Sequence, residues 1–231
     1  MNFKKTTLVA AAILAFAAVS TTASAFTTSV VFPTDSSMAT TSFASATTVN
    51  FDSLPVGSSV SNFVVDNGST KATYNKGAIY DSSIDGVTAR PAFTNGNYLS
   101  VGISPEAQVG PATVSFSNPV NYYGFLWGSI DAYNTVLFDL MGGTQNSVSF
   151  TGDDILFPAD GIQGKPAYFN FFATGAETIR NITFLSSNNA FETANHAFSV
   201  SSVPEPETYA LMLAGLGLMG AVARRRKAKQ A

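Results

Sequence analysis

The chain is poor in the residues that do chemistry. It has one histidine, His196, and no cysteine. A Ser–His–Asp unit would need that imidazole oriented by a carboxylate and aimed at a serine, and no Gly-x-Ser-x-Gly elbow occurs. A lone imidazole does not make a zinc site either, so His196 is expected to be a packed or strand-edge residue. Without cysteine there is no thiolate nucleophile, no Cys–zinc site and no iron–sulfur cluster. The adjacent pair Asp153-Asp154 is a weak basis for glycoside hydrolysis, which needs two carboxyls about 5–10 Å apart across a cleft. Neighbouring Asp residues in a loop more often make turns. No catalytic residue is assigned, and the expectation is a non-enzyme.

Hard-oxygen chemistry is the reading that these residue types leave open. A calcium site draws carboxylates and carbonyls from several loops. The candidates are Asp52, Asp81, Asp85, Asp153, Asp154, and Glu192 with Asn195. Asp52 and Glu192 are the preferred ligands, flanking the first and last strands. The EF-hand and nonapeptide calcium patterns are both absent, and the alternative is that these side chains serve turns and solubility.

The elements that would position them read as β throughout. Short β-branched and aromatic runs alternate with Gly, Asn, Asp, Ser and Pro clusters. Strands are expected near 47–51, 60–65, 72–80, 97–102, 112–117, 121–127, 133–140, 145–150, 167–172, 179–185 and 197–202. Period-2 alternation places Val114, Phe116, Val148 and Phe150 on buried faces. The fold class is all-β, a jelly-roll-like two-sheet sandwich. Its centre is the run 121–136, where the only Trp, Trp127, closes a core strand and a tight turn at Gly128-Ser129 leads to Asp131 and Asn134.

Both ends of the chain read as processing segments. Lys4-Lys5, the apolar stretch 8–19 and the small-x-small site Ala23-Ser24-Ala25 form a secretory signal peptide over 1–25, with cleavage before Phe26. At the other end Pro204-Glu205-Pro206 precede an uncharged stretch, 210–223, and then Arg224, Arg225, Arg226 and Lys227 in a basic tail over 224–229. Two prolines two apart hold the approach extended. As a helix, the fourteen residues of 210–223 span about 21 Å, short of a hydrocarbon core of about 30 Å. The basic cluster would stay cytoplasmic and stop transfer. The expected organisation is signal peptide 1–25, Ser/Thr-rich leader 26–46, β-sandwich 47–202 and C-terminal signal 203–231. The leader is expected to be flexible or loosely paired.

Charge takes a different meaning once the ends are set aside. Of fifteen Asp and Glu only Glu205 and Glu207 leave, so thirteen remain; of twelve Lys and Arg seven leave, so five remain. The body is near −8 where the whole chain is −3. Such a body does not bind nucleic acid by neutralising phosphates.

Pro204-Glu205-Pro206, the Gly-rich apolar stretch and the Arg run resemble the PEP-CTERM sorting signal. That resemblance implies recognition by exosortase, a membrane enzyme of exopolysaccharide-producing Gram-negative bacteria. The run 124–134 (Gly-Phe-Leu-Trp-Gly-Ser-Ile-Asp-Ala-Tyr-Asn), with Arg90-Pro91, 97–101, 150–152 and 189–192, also resembles a family of exosortase-dependent surface proteins. The resemblance implies export through the translocon, cutting by signal peptidase, brief anchoring in the inner membrane, and transfer to the surface or extracellular matrix. The expected role is structural or adhesive, within exopolysaccharide or biofilm. The alternative is a carbohydrate-binding module, calcium-dependent or not.

Overall fold

The computed structural model describes residues 25–103 and 110–200, together with 215, 216 and 219. Residues 1–24 of the signal peptide expected over 1–25, Pro204-Glu205-Pro206, the basic residues Arg224 to Lys227 and most of 210–223 lie outside the described residues. Residues 215, 216 and 219 are helical. Among the described residues no helix is long and apolar enough to cross a membrane.

Thirteen strands and one helical turn make up the described part. In chain order they are β1 (Phe26–Val31), β2 (Thr47–Val49), β3 (Phe63–Asp66), β4 (Lys71–Asn75), β5 (Ala78–Tyr80), β6 (Tyr98–Val101), β7 (Ala112–Val120), β8 (Tyr122–Gly128), β9 (Asn134–Met141), β10 (Ser147–Thr151), α1 (Gly152–Ile155), β11 (Ala167–Ala173), β12 (Thr178–Ser186) and β13 (Phe191–Ser199). All pairings are antiparallel. One sheet runs β1-β11-β8-β13-β6-β5, with β2 also on β13; the other runs β10-β9-β12-β7-β4-β3. The path β6 to β13 thus gives β6-β13-β8-β11 facing β7-β12-β9-β10, the nested order of a jelly roll.

Burial follows the pleat where one face is wet. In β9, Asn134, Val136, Phe138 and Leu140 are buried and alternate with half-buried neighbours. Val114 and Phe116 are buried as the alternation predicts, whereas Val148 and Phe150 are half-buried because β10 is an edge strand. β8 is buried at every position. Its inner residues Tyr123, Phe125 and Trp127 join the main core, while Leu126 belongs to a second cluster with Ala39, Tyr98 and Tyr168 on the outer side of that sheet. The outer cluster is roofed by the segment 32–46 and the loop 81–97.

Three expectations are revised. Residues 26–31, read as part of a loose leader, form β1 and pair with β11 through six residues, Phe26 opposite Ala173 and Val31 opposite Tyr168. The Thr/Ser content hides this, because an edge strand needs only its inner residues to be apolar: Phe26 stacks on Phe171 at 5.1 Å. The single strand expected at 72–80 is two, β4 and β5, in different sheets. Lys76 and Gly77 both have positive φ, 66° and 88°, which breaks an extended run. A Cβ on Gly77 would also meet the Leu99 side chain at 2.5 Å. Finally, the last strand starts at Phe191, six residues before the expected 197.

The core is aromatic. Phe138 stacks on Phe171 at 4.1 Å, and Trp127 packs on Phe191 at 4.5 Å. His196 lies inside it, fully buried, with the rings of Phe51, Tyr74, Tyr123, Phe125 and Phe184 within 6 Å. Its Nδ1 shares a 2.7 Å hydrogen bond with the Tyr123 hydroxyl, and its Nε2 has no partner. Burial pulls its pKa down to about 3, because a charge in this ring cluster would be desolvated. The folded value lies below the unfolded one of 6.5, so this contribution is complete above pH 6.5 and is lost as pH falls toward 3. The His196 contribution is expected to fall by about 1.4 kcal/mol per pH unit in that window. Denaturant melts of His196→Leu and the parent at pH 7 and pH 5 check it: the variant should gain about 2 kcal/mol relative to the parent between the two, and a pH-independent difference would refute the assignment.

Candidate functional site

A polar cleft of about 430 Å³ opens at the end of the sandwich where β8 turns into β9. Its walls come from loop 83–89, from Ser129, Asp131 and Tyr133, from Gly161 and Gln163, and from Asn189, Ala190 and Glu192. These residues are far apart in sequence. The sandwich joins them because β8 ends, β9 starts, β11 starts and β13 starts at the same pole: Ala167 stands opposite Trp127, and Glu192 stands opposite Gly128.

Glu192 is the buried centre of the cleft. It is 1 % exposed. One carboxylate oxygen accepts from the Ser129 hydroxyl at 2.5 Å; the other accepts from the Ala89 N–H at 2.7 Å and from the Thr88 hydroxyl at 3.4 Å. Thr88 also donates to Ser100 Oγ at 2.8 Å. The turn that presents Ser129 has φ 35° at that residue, and Gly128 before it lets the loop 81–97 close in. A Cβ on Gly128 would sit 2.6 Å from the Pro91 ring. Opposite, the Tyr133 hydroxyl donates to the Asn189 carbonyl at 2.9 Å, and the Asn134 side-chain amide donates to the Ala190 carbonyl at 3.2 Å.

Electrostatically the cleft is acidic and carries no cation among its lining residues. Burial raises the Glu192 carboxyl to about 7, against the pull of Ser129 and Ala89, which donate to it. Burial also raises Asp131, with Tyr133 acting in the opposite direction and Asp160 adding to the rise.

Of the expected calcium ligands, Asp85 and Glu192 both line the cleft; Asp52, Asp81, Asp153, Asp154 and Asn195 are not among its lining residues. Asp52 accepts from the Asn97 N–H at 2.8 Å, and Asn97 in turn donates to the Phe51 and Leu54 carbonyls, so this carboxylate ties the chain after β2 to the start of β6. Glu192 is held in the cleft as described. Among the described residues no three His, Asp or Glu side chains are grouped to hold a metal ion. Asp154 accepts from the Thr151 N–H and hydroxyl at 2.7 Å each, and Asp153 accepts from the Ala159 N–H at 2.9 Å; both fasten the turn around α1. Asn195 sits at a bulge of β13 and donates to the Ala39 carbonyl at 2.7 Å. Asp81 accepts from Ser82, and Asp85 lies in the cleft wall.

The sequence singles out Ser129, Asp131 and Tyr133 as one segment and 189–192 as another, but not that they share a cleft. Thr88 and Ala89 escape it altogether; nothing in their types signals a role, since Ala89 contributes only its backbone.

A Glu192→Gln substitution tests the electrostatics. The native carboxyl titrates higher when folded, about 7 against 4.5, so its contribution is complete below pH 4.5 and is lost as pH rises toward 7. Relative to the parent, the Gln variant is expected to gain about 3 kcal/mol between pH 4.5 and pH 8, read from denaturant midpoints. A pH-independent difference would show that Glu192 titrates normally.

Residues 202–227 match the PEP-CTERM protein-sorting motif. No curated protein matches the chain. The strand β13 ends at Ser199, and the motif begins at 202. The chain thus carries the PEP-CTERM sorting signal of exosortase-dependent proteins, which implies export, anchoring at the membrane, processing by exosortase and sorting to the cell surface.

Proposed function

We propose that the sandwich is the non-enzymatic cargo of this sorting signal, a structural or adhesive protein of an exopolysaccharide envelope or biofilm in a Gram-negative host. The observation that carries the reading is the junction itself: β13 ends at Ser199 and the motif begins at 202. The domain and the signal are adjacent parts of one delivery unit. The burial of His196 in the core, and the use of Asp153 and Asp154 in a turn, support the non-enzymatic part. In this reading signal peptidase cuts before Phe26 and exosortase cuts near Pro204-Glu205-Pro206. The apolar stretch 210–223 anchors the chain meanwhile, with Arg224 to Lys227 as the stop.

The cleft favours a second reading, a carbohydrate-binding module. Its lining offers hydroxyl, amide and carboxylate groups and one aromatic ring, Tyr133. Such a set suits a neutral, hydroxyl-rich ligand, whose hydroxyls both donate and accept. Calcium dependence of that binding is read from affinity gels run with and without a chelator.

Two experiments test these readings. Intact-mass analysis of the protein from its host should give a chain starting at Phe26 and ending near Pro204–Pro206. Glu205→Ala should accumulate as uncut precursor in the membrane, and normal processing of that variant would refute the role of the motif. In affinity gels containing host exopolysaccharide the domain should be retarded. An Asp131→Asn/Tyr133→Phe double variant should lose at least half of that retardation, and equal mobility of parent and variant would remove the cleft from the binding reading.

A further inference from the structure

Both ends of the sandwich leave from the same pole. Phe26, the first residue of β1, stands opposite Ala173; Phe172 stands opposite Tyr122; and Tyr122 stands opposite Ser199, the last residue of β13. Asn121 binds this rung together. Its N–H donates to the Ser199 carbonyl at 2.9 Å, and its carbonyl accepts from the Ala173 N–H at 2.8 Å. The Thr174 N–H donates to the Ala25 carbonyl at 3.1 Å. Three interstrand steps of about 4.8 Å separate the two ends, roughly 14 Å in all. The cleft lies at the other pole: Glu192 and Ser199 are seven residues apart on β13, about 23 Å along the strand.

Charge divides the same way. Asp85 and Asp131 line the cleft, and Asp153, Asp154 and Asp160, the last paired with Lys165 at 3.6 Å, lie between β10 and β11 at that pole. The loops at the chain-end pole, 67–70, 118–121, 142–146 and 174–177, contain one ionisable side chain, Glu177. That residue is 3 % exposed and accepts from the Thr144 and Gln145 N–H groups. Asp66, at the margin, pairs with Lys71 at 3.3 Å.

We propose that in the anchored precursor this neutral pole rests on the phospholipid headgroups of the membrane that holds 210–223, with the cleft pointing away. The proposal rests on the sorting-signal reading. Its first support is the tether. Eleven residues lead from Ser199 to Ala210, and fully extended they reach at most about 40 Å, so the domain stays at the surface. The second is charge. Anionic headgroups repel an acidic pole and tolerate a neutral one, and here the tether leaves from the neutral pole. The sorting motif would then lie between the domain and the bilayer, at the level of a membrane enzyme, while the cleft is free to meet ligand before release.

The absence of cysteine makes single-cysteine labelling the direct test. Full-length precursor is reconstituted in phosphatidylethanolamine–phosphatidylglycerol vesicles without exosortase. It carries a fluorophore at Ser69→Cys or Asn146→Cys on the neutral pole, or at Asp85→Cys or Gln163→Cys beside the cleft. A headgroup-attached quencher is expected to quench the first two at least threefold more than the last two. Equal quenching at all four, or stronger quenching beside the cleft, overturns the orientation. Asymmetry that appears only after exosortase is added also overturns it, assigning the pole to the enzyme rather than to lipid. Vesicle flotation separates the layers: precursor that fails to float refutes the anchor reading itself, and precursor that floats with uniform quenching refutes only the orientation.

Discussion

A strand buried on both faces must be covered on both, and β8 is such a strand along its whole length. That requirement organises the molecule. The six-stranded sheet covers the inner face, with Phe138 and Phe184 reaching the rings of β8. The outer face is covered by loops, where other sandwiches leave solvent. Phe43 packs on Tyr122 at 4.8 Å, Thr41 shares a 2.6 Å hydrogen bond with the same hydroxyl, and Ala39 is fully buried. From the opposite side the loop 81–97 comes over Gly128 and delivers Thr88 and Ala89 to Glu192. The cleft is therefore a by-product of roofing the central strand: its walls are the ends of the cover.

Two titratable groups are buried on β13, four residues apart, and their environments differ in kind. Glu192 sits in a polar cleft and has three donors. His196 sits among rings and has one partner. Both favour the neutral form, one by keeping a proton and the other by refusing it. Between pH 4.5 and 6.5 their pH slopes oppose one another and nearly cancel, so the pair flattens the stability profile in mildly acidic surroundings.

The fold class is legible because the body has strong local signals: alternation in 112–117 and 145–150, an aromatic, uncharged run at 122–127, and turn residues between them. What escapes is set by partners distant in sequence. Residues 26–31 read as Ser/Thr-rich linker, and only β11, about 140 residues later, makes them a strand. The break at Lys76-Gly77 depends on a sheet change that local pattern does not encode. Among the candidate site residues, the sequence conveys types and not company. Asp52 and Glu192 pair as ligands by their positions near the first and last strands, yet each is occupied by donors from a different loop. Ser129, Asp131 and Tyr133 are visible as a segment, but their meeting with 83–89 belongs to the topology.

The position of β13 has a consequence for when the sandwich can close. It is the last strand in sequence, and it pairs with β2, β6 and β8 in the interior of its sheet. The first strand waits for β11 in the same way. Until residues 191–199 have emerged, the seven-stranded sheet has no middle: β8 lacks one neighbour, and β2, β6 and β5 have nothing to join. Closure of the sandwich therefore waits for the strand that stands directly before the sorting motif in sequence.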